Sequence, residues 1–360
     1  MRAAVVILNW NGIDFLKKYL PVLIENTPKD KGIIYVVDNG STDGSVNMLK
    51  EEFPNVNLIE FDRNYGFTGG YNRALAQIDT EFYVLLNSDI RVSANWLDAI
   101  IDFMDNTPEA GICMPKILSE ARHQEIINAA GNLYVSTKEV FEYAGACGGF
   151  IDKFGYPFCR GRILSHVEED NGQYNNPVEI FWASGACMIV RSCIYKQLGG
   201  LDEKFFAHME EIDFCWRAKL LGHHAWIVPQ SVVYHVGGGT LPNNSPRKLY
   251  LNYRNNLLML YKNLPYKDGS SRAGIRRNMF ISIRMFLDLL SAVVYILQGK
   301  FSFFKAVLKA HCDYRKMKRE ISVSPRCISY TNSFLKYIAG AYRRSIIFCF
   351  FTGKRQFREL

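Results

Sequence analysis

The sequence predicts an α/β protein built on a mostly parallel, Rossmann-like sheet with helices on both faces. Short apolar runs typical of buried strands alternate with segments of helical periodicity from residue 3 to residue 104. Strands that alternate with helices in this way form parallel sheets joined by right-handed crossovers. A second observation, a basic and aromatic C-terminal third, predicts a helical extension of different character.

The predicted elements follow one another in a regular order. The strand AAVVIL ends at an Asn-Trp-Asn-Gly turn and precedes a helix; the later strands are IIYVVD, VNLIEF and EFYVLLNSDI. Further helices are predicted from Asp43, over GGYNRALAQI and over NWLDAIIDFM. Residues 128–180 lack periodicity and predict an irregular region of short strands. EIFWASGACMIVRS then predicts one strand interrupted at Ser184, and SVVYH predicts a strand that ends at His235.

Composition limits the class of protein. With 360 residues, 48% hydrophobic and 22% charged, the chain resembles a folded soluble protein with a substantial core. Its nine cysteines include no C-x-x-C pair, which predicts neither a disulfide framework nor a zinc site. The apolar run at the start is too short for a signal peptide, so we expect a reducing, cytoplasmic compartment.

Charge divides the chain into two parts. Residues 1–245 contain 20 Lys and Arg against 30 Asp and Glu, whereas residues 246–360 contain 23 against 5. We therefore predict a main domain over residues 1–265 and a basic, aromatic-rich helical region over residues 266–360. Such a region suits an anionic membrane surface better than nucleic acid. A basic helix that is solvated and packs on the main domain is the competing interpretation.

No membrane-spanning helix is expected from the sequence. The most apolar stretch, MFISIRMFLDLLSAVVYILQG, contains Arg284 and Asp288, and its uncharged part, residues 289–299, is too short to cross a bilayer. A helix that lies in the membrane interface fits this stretch better.

Three carboxylates are crowded at the start of a predicted helix: Glu210, Glu211 and Asp213. Acids in a first turn complement the helix dipole, which explains part of the cluster. Asp213 has Arg217 four residues later, the spacing of an intrahelical ion pair, and Glu210 lies near the same face. Glu211 points about a third of a turn away and has no evident partner on the helix.

Polar residues follow the predicted strands at the edge where ligands bind to parallel sheets. Asp38 either caps the turn through Ser41 or accepts hydrogen bonds from a nucleotide, and the sequence leaves both open. Asp89 follows a strongly apolar strand, where a divalent ion is a natural partner and a turn or helix cap is the alternative. His235 ends a strand before a run of glycines and is a candidate metal ligand, although a lone histidine is more often structural.

The segment NYGFTGGYN contains Gly66, Gly69 and Gly70 before a predicted helix. It matches neither the G-x-G-x-x-G fingerprint nor a Walker A sequence. Its glycines permit close backbone approach, and the helix start offers N–H groups to an anion. By itself this segment is only a weak indication of phosphate binding.

Taken together, these segments resemble the family 2 inverting glycosyltransferases of GT-A (nucleotide-diphospho-sugar transferase) fold, and most of all their bacterial rhamnosyltransferase-like branch. The resemblance covers about residues 3–256. Its specificity comes from the order of motifs that are individually weak: VVILNWNG, VVDNGSTDGS, NYGFTGGYN, LLNSDI, FWASGACMIVR, GGLDEKFFAHMEEIDFCWRAKLLG, VVYHVGGGT and YRNN.

The resemblance implies a role for each matching residue. Glu211 falls on the catalytic acid, with Glu210 as the alternative; Asp89 would reach a divalent ion, Mg²⁺ or Mn²⁺, and His235 would be a further metal ligand. The residues expected to bind the nucleotide are Asn9, Asn11, Asp38, Asn64, Gly69, Asn87 and Ser88. The candidate substrate-binding residues are Trp182, Gly185 and Arg254, the last of which has a helix N-terminal salt bridge as its alternative.

Two positions depart from the family pattern. Asn87 replaces the first Asp of the D-x-D motif, which removes one charge from the expected metal site. Glu211 stands where Asp is usual and adds one methylene of reach. The second departure is the reason for retaining Glu210 as an alternative.

The predicted function is an inverting, metal-dependent transfer of a sugar from a nucleotide sugar to a hydroxyl of a lipid-linked cell-surface glycan. The branch suggests rhamnose as the sugar. The protein would lie on the inner face of the cytoplasmic membrane as a peripheral protein, with no nucleic acid partner. One carboxylate would deprotonate the acceptor hydroxyl, and a cation would stabilise the departing nucleoside diphosphate.

Two alternative functions are kept. A sugar-phosphate nucleotidyltransferase would show a Gly- and Arg-rich phosphate loop near the start, which ILNWNGIDFLKK does not offer. A non-catalytic, membrane-associated scaffold of the same fold is supported only by Asn87. Release of pyrophosphate from a nucleoside triphosphate would favour the first, and nucleotide binding without turnover the second.

Overall fold

The computed structural model describes residues 2–129, 136–237, 245–264, 271–321 and 338–360, with the backbone alone at 271–273. Within these ranges the strands are β1 (Ala3–Asn9), β2 (Gly32–Asp38), β3 (Asn57–Glu60), β4 (Phe82–Leu86), β5 (Ile90–Val92), β6 (Ala110–Ser119), β7 (Gly149–Ile151), β8 (Pro157–Cys159), β9 (Arg162–Ile163), β10 (His166–Val167), β11 (Val178–Ile180), β12 (Cys187–Arg191) and β13 (His224–His235). The helices are α1 (Ile13–Glu25), α2 (Ser45–Glu52), α3 (Gly66–Leu75), α4 (Trp96–Asn106), α5 (Glu120–Asn128), α6 (Ser192–Gln197), α7 (Glu210–Leu220), α8 (Pro246–Asn263), α9 (Ser271–Leu297), α10 (Phe301–Met317) and α11 (Ile346–Phe351).

The central sheet has the strand order β11-β13-β6-β12-β4-β1-β2-β3, with β5 paired to β13. The first four strands run parallel, as predicted, and β1 and β4 are buried along almost their whole length because helices cover both faces. The second half of the sheet is mixed, since β12 runs antiparallel to both β4 and β6. The carboxyl ends of β1, β2 and β4 therefore meet at one edge, where Asn9 pairs with Asp38 in register.

The segment predicted as one interrupted strand forms two strands in separate parts of the sheet, so that prediction is wrong. β11 pairs with β13 at the sheet edge, while β12 lies between β4 and β6. The loop between them crosses from the edge to the centre and ends beside β4, where the N–H of Asn87 donates to the carbonyl of Ala186 at 3.0 Å. This crossing brings Gly185 to the polar edge of the sheet.

The predicted irregular region contains a small antiparallel sheet of order β10-β9-β8-β7. The last part of the chain packs on it: the Phe357 ring lies 4.7 Å from the Phe150 ring, and the Ile346 N–H donates to the buried Asp152 carboxylate at 2.9 Å. Residues 338–360 thus pack on the small sheet, whereas α9 and α10 lie against α8 and each other, and α9 reaches the same region through Arg284, which lies 3.4 Å over the Tyr156 ring. The domain boundary at residue 265 stays a prediction.

Helix α7 is fastened to α8 through a buried carboxylate. The predicted pair between Asp213 and Arg217 is present at 2.7 Å. Two residues at the end of α8 also donate to Asp213, Lys262 at 3.0 Å and Asn263 at 2.8 Å. Burial raises the pKa of Asp213, but the two cations outweigh burial and hold it below its usual value. The carboxylate is therefore a fixed ionic junction between the two helices.

Helix α9 has charged side chains on its buried face and apolar side chains on its exposed face. Its inner face carries Arg284 and Asp288, paired at 3.0 Å and close to His311 of α10. Its outer face is apolar from Ile283 to Leu297 and mixed before that, where Arg276, Asn278 and Ser282 are also exposed. The exposed apolar side chains of α9 are Ile275, Met279, Ile283, Phe286, Leu289, Leu290, Val293, Val294, Ile296 and Leu297. Positions three and four apart repeat through this set, so they form one continuous stripe.

Within the described ranges, one helix, over Gly274–Leu297, is long and apolar enough to cross a membrane by length and composition. The expectation that no stretch reaches that length is wrong, because it counted only the uncharged residues and the structure pairs the two charged ones inside the helix bundle. The same length and composition also suit a helix that lies along a membrane surface.

Candidate active site at the sheet edge and the carboxylate helix

The loop before α7 is held in a strained conformation. Phe206, His208 and Met209 all have positive φ, at 66°, 69° and 71°, a region that side chains other than glycine seldom adopt. The Asn255 side chain of α8 donates to three carbonyls of this loop, those of Phe205 at 3.0 Å, Ala207 at 2.8 Å and His208 at 2.7 Å. Strain that is held in place by such bonds is typical of a functional site.

A second set of bonds fixes the loop against the start of α3. The carbonyl of Phe206 accepts from the N–H of Phe67 at 2.9 Å, and a side chain on Gly66 would meet the Phe206 ring at 2.5 Å. Only glycine therefore permits this close approach, which is the role that the glycine-rich segment has here. The first turn of α7 is fixed relative to both α3 and α8.

Glu211 is half-buried in the first turn of α7, and its Oε2 has no hydrogen-bond partner among the described residues. Burial raises the pKa of Glu211 to about 7, against the opposing effect of backbone N–H groups in the same turn. Glu210 is more deeply buried, and burial followed by the charge of Glu211 raises its pKa well above the usual value. Glu211 is thus the group of the pair that loses its proton more readily.

Glu211 lies next to the loop that crosses to the sheet edge. A Cβ built on Gly185 would lie 3.7 Å from the Glu211 Cβ and 3.4 Å from the Phe67 ring. Its neighbour Ala186 accepts from the Asn87 N–H at the end of β4. The structure therefore brings Gly185 and Glu211 together beside the Asn87–Asp89 turn.

Asp89 and His235 also meet at this edge. Strand β5 begins directly after Asp89 and pairs with β13 so that His235 lies opposite Ile90. The His235 Nε2 is 3.2 Å from the Asp89 Oδ1, and its Nδ1 is 3.1 Å from Glu142 Oε2. Burial lowers the pKa of His235, but the two carboxylates outweigh burial and raise it to about 10.

The donor chemistry of this cluster fits a divalent ion. An imidazole nitrogen and a carboxylate oxygen 3.2 Å apart are ligands that Mn²⁺ and Mg²⁺ sites use, and the Glu142 carboxylate lies 3.1 Å from the second ring nitrogen, where it can orient the ring. Over the residues that the structure describes, no group of three or more His, Cys, Asp and Glu side chains forms a complete metal site. The protein thus offers two ligands, and a substrate and water would have to supply the others.

At the other end of the edge, Asp38 caps its own turn. Its Oδ1 accepts from the Ser41 N–H at 2.8 Å, the turn interpretation that the sequence left open, and its Oδ2 accepts from Asn9 at 3.2 Å. The buried Asn9 Oδ1 has no partner among the described residues. Asn11 is exposed, with φ of 52°, and its side-chain oxygen accepts from the Thr42 N–H at 2.8 Å. Asn9, Asn11 and Asp38 therefore form one connected wall.

Ser88 and Asn64 extend this wall, whereas Gly69 does not. The Ser88 hydroxyl lies 3.4 Å from a Cβ built on Gly12, which places β4 against the first turn. Asn64 accepts from the Gly66 N–H at 2.7 Å and so caps the start of α3. A side chain on Gly69 would meet Arg73 at 2.9 Å, so that glycine serves packing.

Two candidate substrate-binding residues, Trp182 and Arg254, donate hydrogen bonds to other groups of the protein. The Trp182 indole donates to the Phe150 carbonyl at 2.9 Å, and its ring lies where a Cβ on Gly149 would be. The Arg254 guanidinium donates to the Phe205 carbonyl, to Tyr250 and to Asn255, and it forms no ion pair with a described residue. The salt bridge given as the alternative for Arg254 is therefore also absent from the described part of the chain.

Sequence reasoning missed Glu142 and Asn255. Glu142 lies in the region without periodicity, and nothing near it in the sequence indicates that it faces His235. Asn255 belongs to the YRNN motif, in which Arg254 attracted attention because of its charge. An uncharged amide inside a helix was the available signal, since such a side chain usually has a specific partner.

Comparison with known proteins gives one family and a set of relatives. Residues 4–154 match the family model described as glycosyl transferase family 2. The chain is 26% identical over 245 residues to the N-acetylglucosaminyl-diphospho-decaprenol L-rhamnosyltransferase of Mycobacterium tuberculosis, a match that covers 64% of this chain and 75% of that protein.

Solved structures share the fold at low identity. A crystal structure of GalNAc-T7 with UDP, GalNAc and Mn²⁺ is similar with a TM-score of 0.53 and 15% identity, over 81% of this chain and 57% of that one. The S. aureus TarS 1-349 structure in complex with UDP-GlcNAc is similar with a TM-score of 0.52 and 15% identity, over 86% and 81%. At this identity the likeness concerns the fold alone.

Replacement of Asn255 by Ala is expected to loosen the loop before α7, because three carbonyls lose their shared donor. Amide hydrogen exchange over residues 205–211 should accelerate at least about tenfold. Asn256→Ala is the matched control, since that neighbouring side chain donates to the distant Gly155 carbonyl instead. Equal exchange in the two variants would contradict the assigned role of Asn255.

Proposed function

We propose that this chain transfers a sugar from a nucleotide sugar to a lipid-linked glycan with inversion. The proposal is supported by the match of residues 4–154 to the model of glycosyl transferase family 2, by the resemblance to a rhamnosyltransferase and by the fold shared with solved glycosyltransferases. The predicted glycosyltransferase activity and fold are thereby confirmed. The stereochemistry, the metal, the acceptor and the role of each residue are parts of the proposal.

The free carboxylate oxygen of Glu211 carries the proposal. An inverting transfer needs one base that takes the proton of the acceptor hydroxyl while that oxygen attacks the anomeric carbon. The bond from the sugar to the nucleoside diphosphate breaks in the same step, and its electron pair leaves with the diphosphate. Glu211 has a buried but unpartnered oxygen beside Gly185. Glu210 Oε2 is likewise buried and unpartnered, but burial followed by the charge of Glu211 raises the pKa of Glu210 well above its usual value, which makes it the weaker candidate.

The donor nucleotide is proposed to lie along the polar edge of the sheet. Asn9, Asn11 and Asp38 form one wall of that edge and Ser88 borders it, while the buried Asn9 Oδ1 offers an unused acceptor. Asn87 and Asp89 follow β4 directly, so that the diphosphate would reach the Asp89 cluster from this side. Glu211 lies across from these residues beside Gly185.

Asp89 and His235 would hold a divalent ion, and Glu142 would keep the His235 ring oriented. Such an ion supplies positive charge to the departing diphosphate. In its absence a proton on His235 balances the two carboxylates, which is the reason for the raised pKa. Metal binding at this cluster therefore competes with that proton.

A lipid-linked acceptor is supported by two features of the C-terminal part and by the relative that bears a lipid acceptor in its name. The outer face of α9 is a continuous apolar stripe, which soluble monomers rarely expose. Residues 246–360 also carry a net charge of +18. We propose that α9 lies in the interface of an anionic membrane, on its cytoplasmic side, with residues 266–360 as the membrane-binding region.

Replacement of Glu211 by Gln is expected to lower kcat about 10²–10⁴-fold while the donor still binds, because the general base is removed. The wild-type rate should rise as pH increases through about 7, where Glu211 loses its proton, and then level off. Glu210→Gln is the matched comparison and should retain most of the activity. Near-normal turnover by the Glu211 variant, or a far larger loss in the Glu210 variant, would overturn the base assignment.

Chelation with EDTA is expected to abolish transfer, and added Mn²⁺ or Mg²⁺ should restore it. Asp89→Asn should weaken Mn²⁺ binding about 10-fold or more, and Glu142→Gln should have a smaller effect of the same kind. Electron paramagnetic resonance of Mn²⁺ titrated into the protein measures this directly. Transfer that proceeds unchanged in EDTA would remove the proposed metal.

Removal of apolar side chains from α9 is expected to release the protein from vesicles that contain phosphatidylglycerol. Leu290→Asp with Val293→Asp should lower vesicle affinity at least about tenfold, because two exposed apolar side chains that would enter the membrane are lost and two negative charges are added. Ile24→Asp with Ile127→Asp, equally apolar and exposed on the main domain, is the control. High salt should also weaken binding. Equal vesicle affinity in both double variants would refute membrane binding through α9.

A further inference from the structure

A cavity of about 580 Å³ opens between the first turns of α8 and α10. Its lining includes four cationic side chains, Arg247, Arg254, Lys305 and Lys309, and no carboxylate. Two aromatic residues, Phe206 from the loop before α7 and Tyr250 from α8, also line it, and the rest of the lining is Pro246, Leu251, Ser302 and Ala306. We infer that this cavity binds the diphosphate of the lipid-linked acceptor, an inference that rests on the proposed function.

The cavity concentrates positive charge on solvent-exposed side chains, of which Arg247 lies over the Phe206 ring at 5.9 Å and Lys309 over the Tyr250 ring at 5.2 Å. Arg247, Lys305 and Lys309 form no ion pair with any residue that the structure describes, and Lys305 and Lys309 face each other at i and i+4, where like charges destabilise a helix. Arg247 lies in the first turn of α8 and Lys305 near the start of α10, next to the positive ends of both dipoles. The one nearby acid, Asp313, accepts a hydrogen bond from Tyr250 at 2.8 Å and lies outside the lining. A diphosphate would give these cations a shared ionic partner.

The surroundings of the cavity favour a lipid-borne diphosphate over a nucleotide. Ser302 lines the cavity, and the residues just before it at the α9–α10 turn include Leu297 and Phe301, whose side chains are 81% and 60% exposed. The apolar stripe of α9 ends at the same turn. A phosphate group in the cavity would therefore have an apolar surface beside it for the hydrocarbon chain, which a nucleotide does not need.

The cavity is also connected to the proposed base. Phe206 lies five residues before Glu211, so the two α-carbons are at most about 18 Å apart even for an extended chain. Arg254 both lines the cavity and donates to the Phe205 carbonyl at 3.0 Å. An acceptor held by its diphosphate here would thus present its first sugars toward Glu211, while the donor lies at the sheet edge.

Calorimetry with inorganic pyrophosphate tests the cavity without any need for turnover. Lys305→Ala with Lys309→Ala should weaken pyrophosphate binding at least about tenfold, since two charge-assisted contacts are lost. Arg315→Ala with Lys316→Ala, two exposed cations farther along the same helix, is the matched control and should bind as the wild type does. UDP and dTDP should not displace the pyrophosphate. Equal affinity in both double variants, or displacement by a nucleoside diphosphate, would overturn the inference.

Kinetics with a sugar–diphosphate–lipid acceptor identifies the source of the diphosphate. The Lys305 and Lys309 variant should raise the acceptor KM about tenfold and leave the donor KM unchanged, whereas the control should alter neither. An unchanged acceptor KM together with lower affinity for phosphatidylglycerol vesicles would show a membrane headgroup site and refute the inference. If the wild type transfers no sugar at all, the proposed function fails, and pyrophosphate binding still reports on the cavity separately.

Discussion

The candidate active site depends on the hydrogen bonds and ion pairs by which α8 holds the loop before α7 and the first turn of α7. Asn255 donates to three carbonyls of a loop with three residues at positive φ, and at the other end of α8 Lys262 and Asn263 hold the buried Asp213. These contacts fix the first turn of α7, where burial raises the pKa of Glu211 to about 7. Without them the strained loop would relax. The position and the acidity of the proposed base therefore both depend on a helix that follows the parallel strands of the central sheet in sequence.

Much of the polar edge of the sheet could be predicted, because it depends on the periodicity and the ends of single strands and helices. Parallel strands bring their carboxyl ends to one edge, so Asn9, Asp38 and Asp89 were expected near one another before any coordinates existed. The pair between Asp213 and Arg217 followed from i,i+4 spacing, and the unpartnered Glu211 followed from its angle on the helix wheel. To predict these features, one needs only the periodicity of a helix or strand and the residue at which it ends.

The remaining features depend on contacts between distant segments. Glu142 meets His235 because an irregular loop crosses the end of β13, and no pattern marks that crossing. The segment around Ser184 was read as one strand, since its two apolar halves have no signal that sends them to different parts of the sheet. In α9 the ion pair between Arg284 and Asp288 turns inward, so the charges that argued against a long apolar helix are hidden in the bundle. Trp182 has chemistry suited to ligands, yet its indole donates to the Phe150 carbonyl, and Arg254 holds the Phe205 carbonyl as well as lining the cavity between α8 and α10.

The proposal that joins these parts is a direct displacement, in which Glu211 takes a proton on one side of the sugar while the diphosphate departs on the other. The configuration of the product at the anomeric carbon tests this most directly, because one displacement inverts it and a covalent enzyme intermediate would retain it. Proton NMR of the first product formed from a donor that the protein turns over measures that configuration. The account predicts a product whose anomeric configuration is opposite to that of the donor, and a product with the donor's configuration would contradict it.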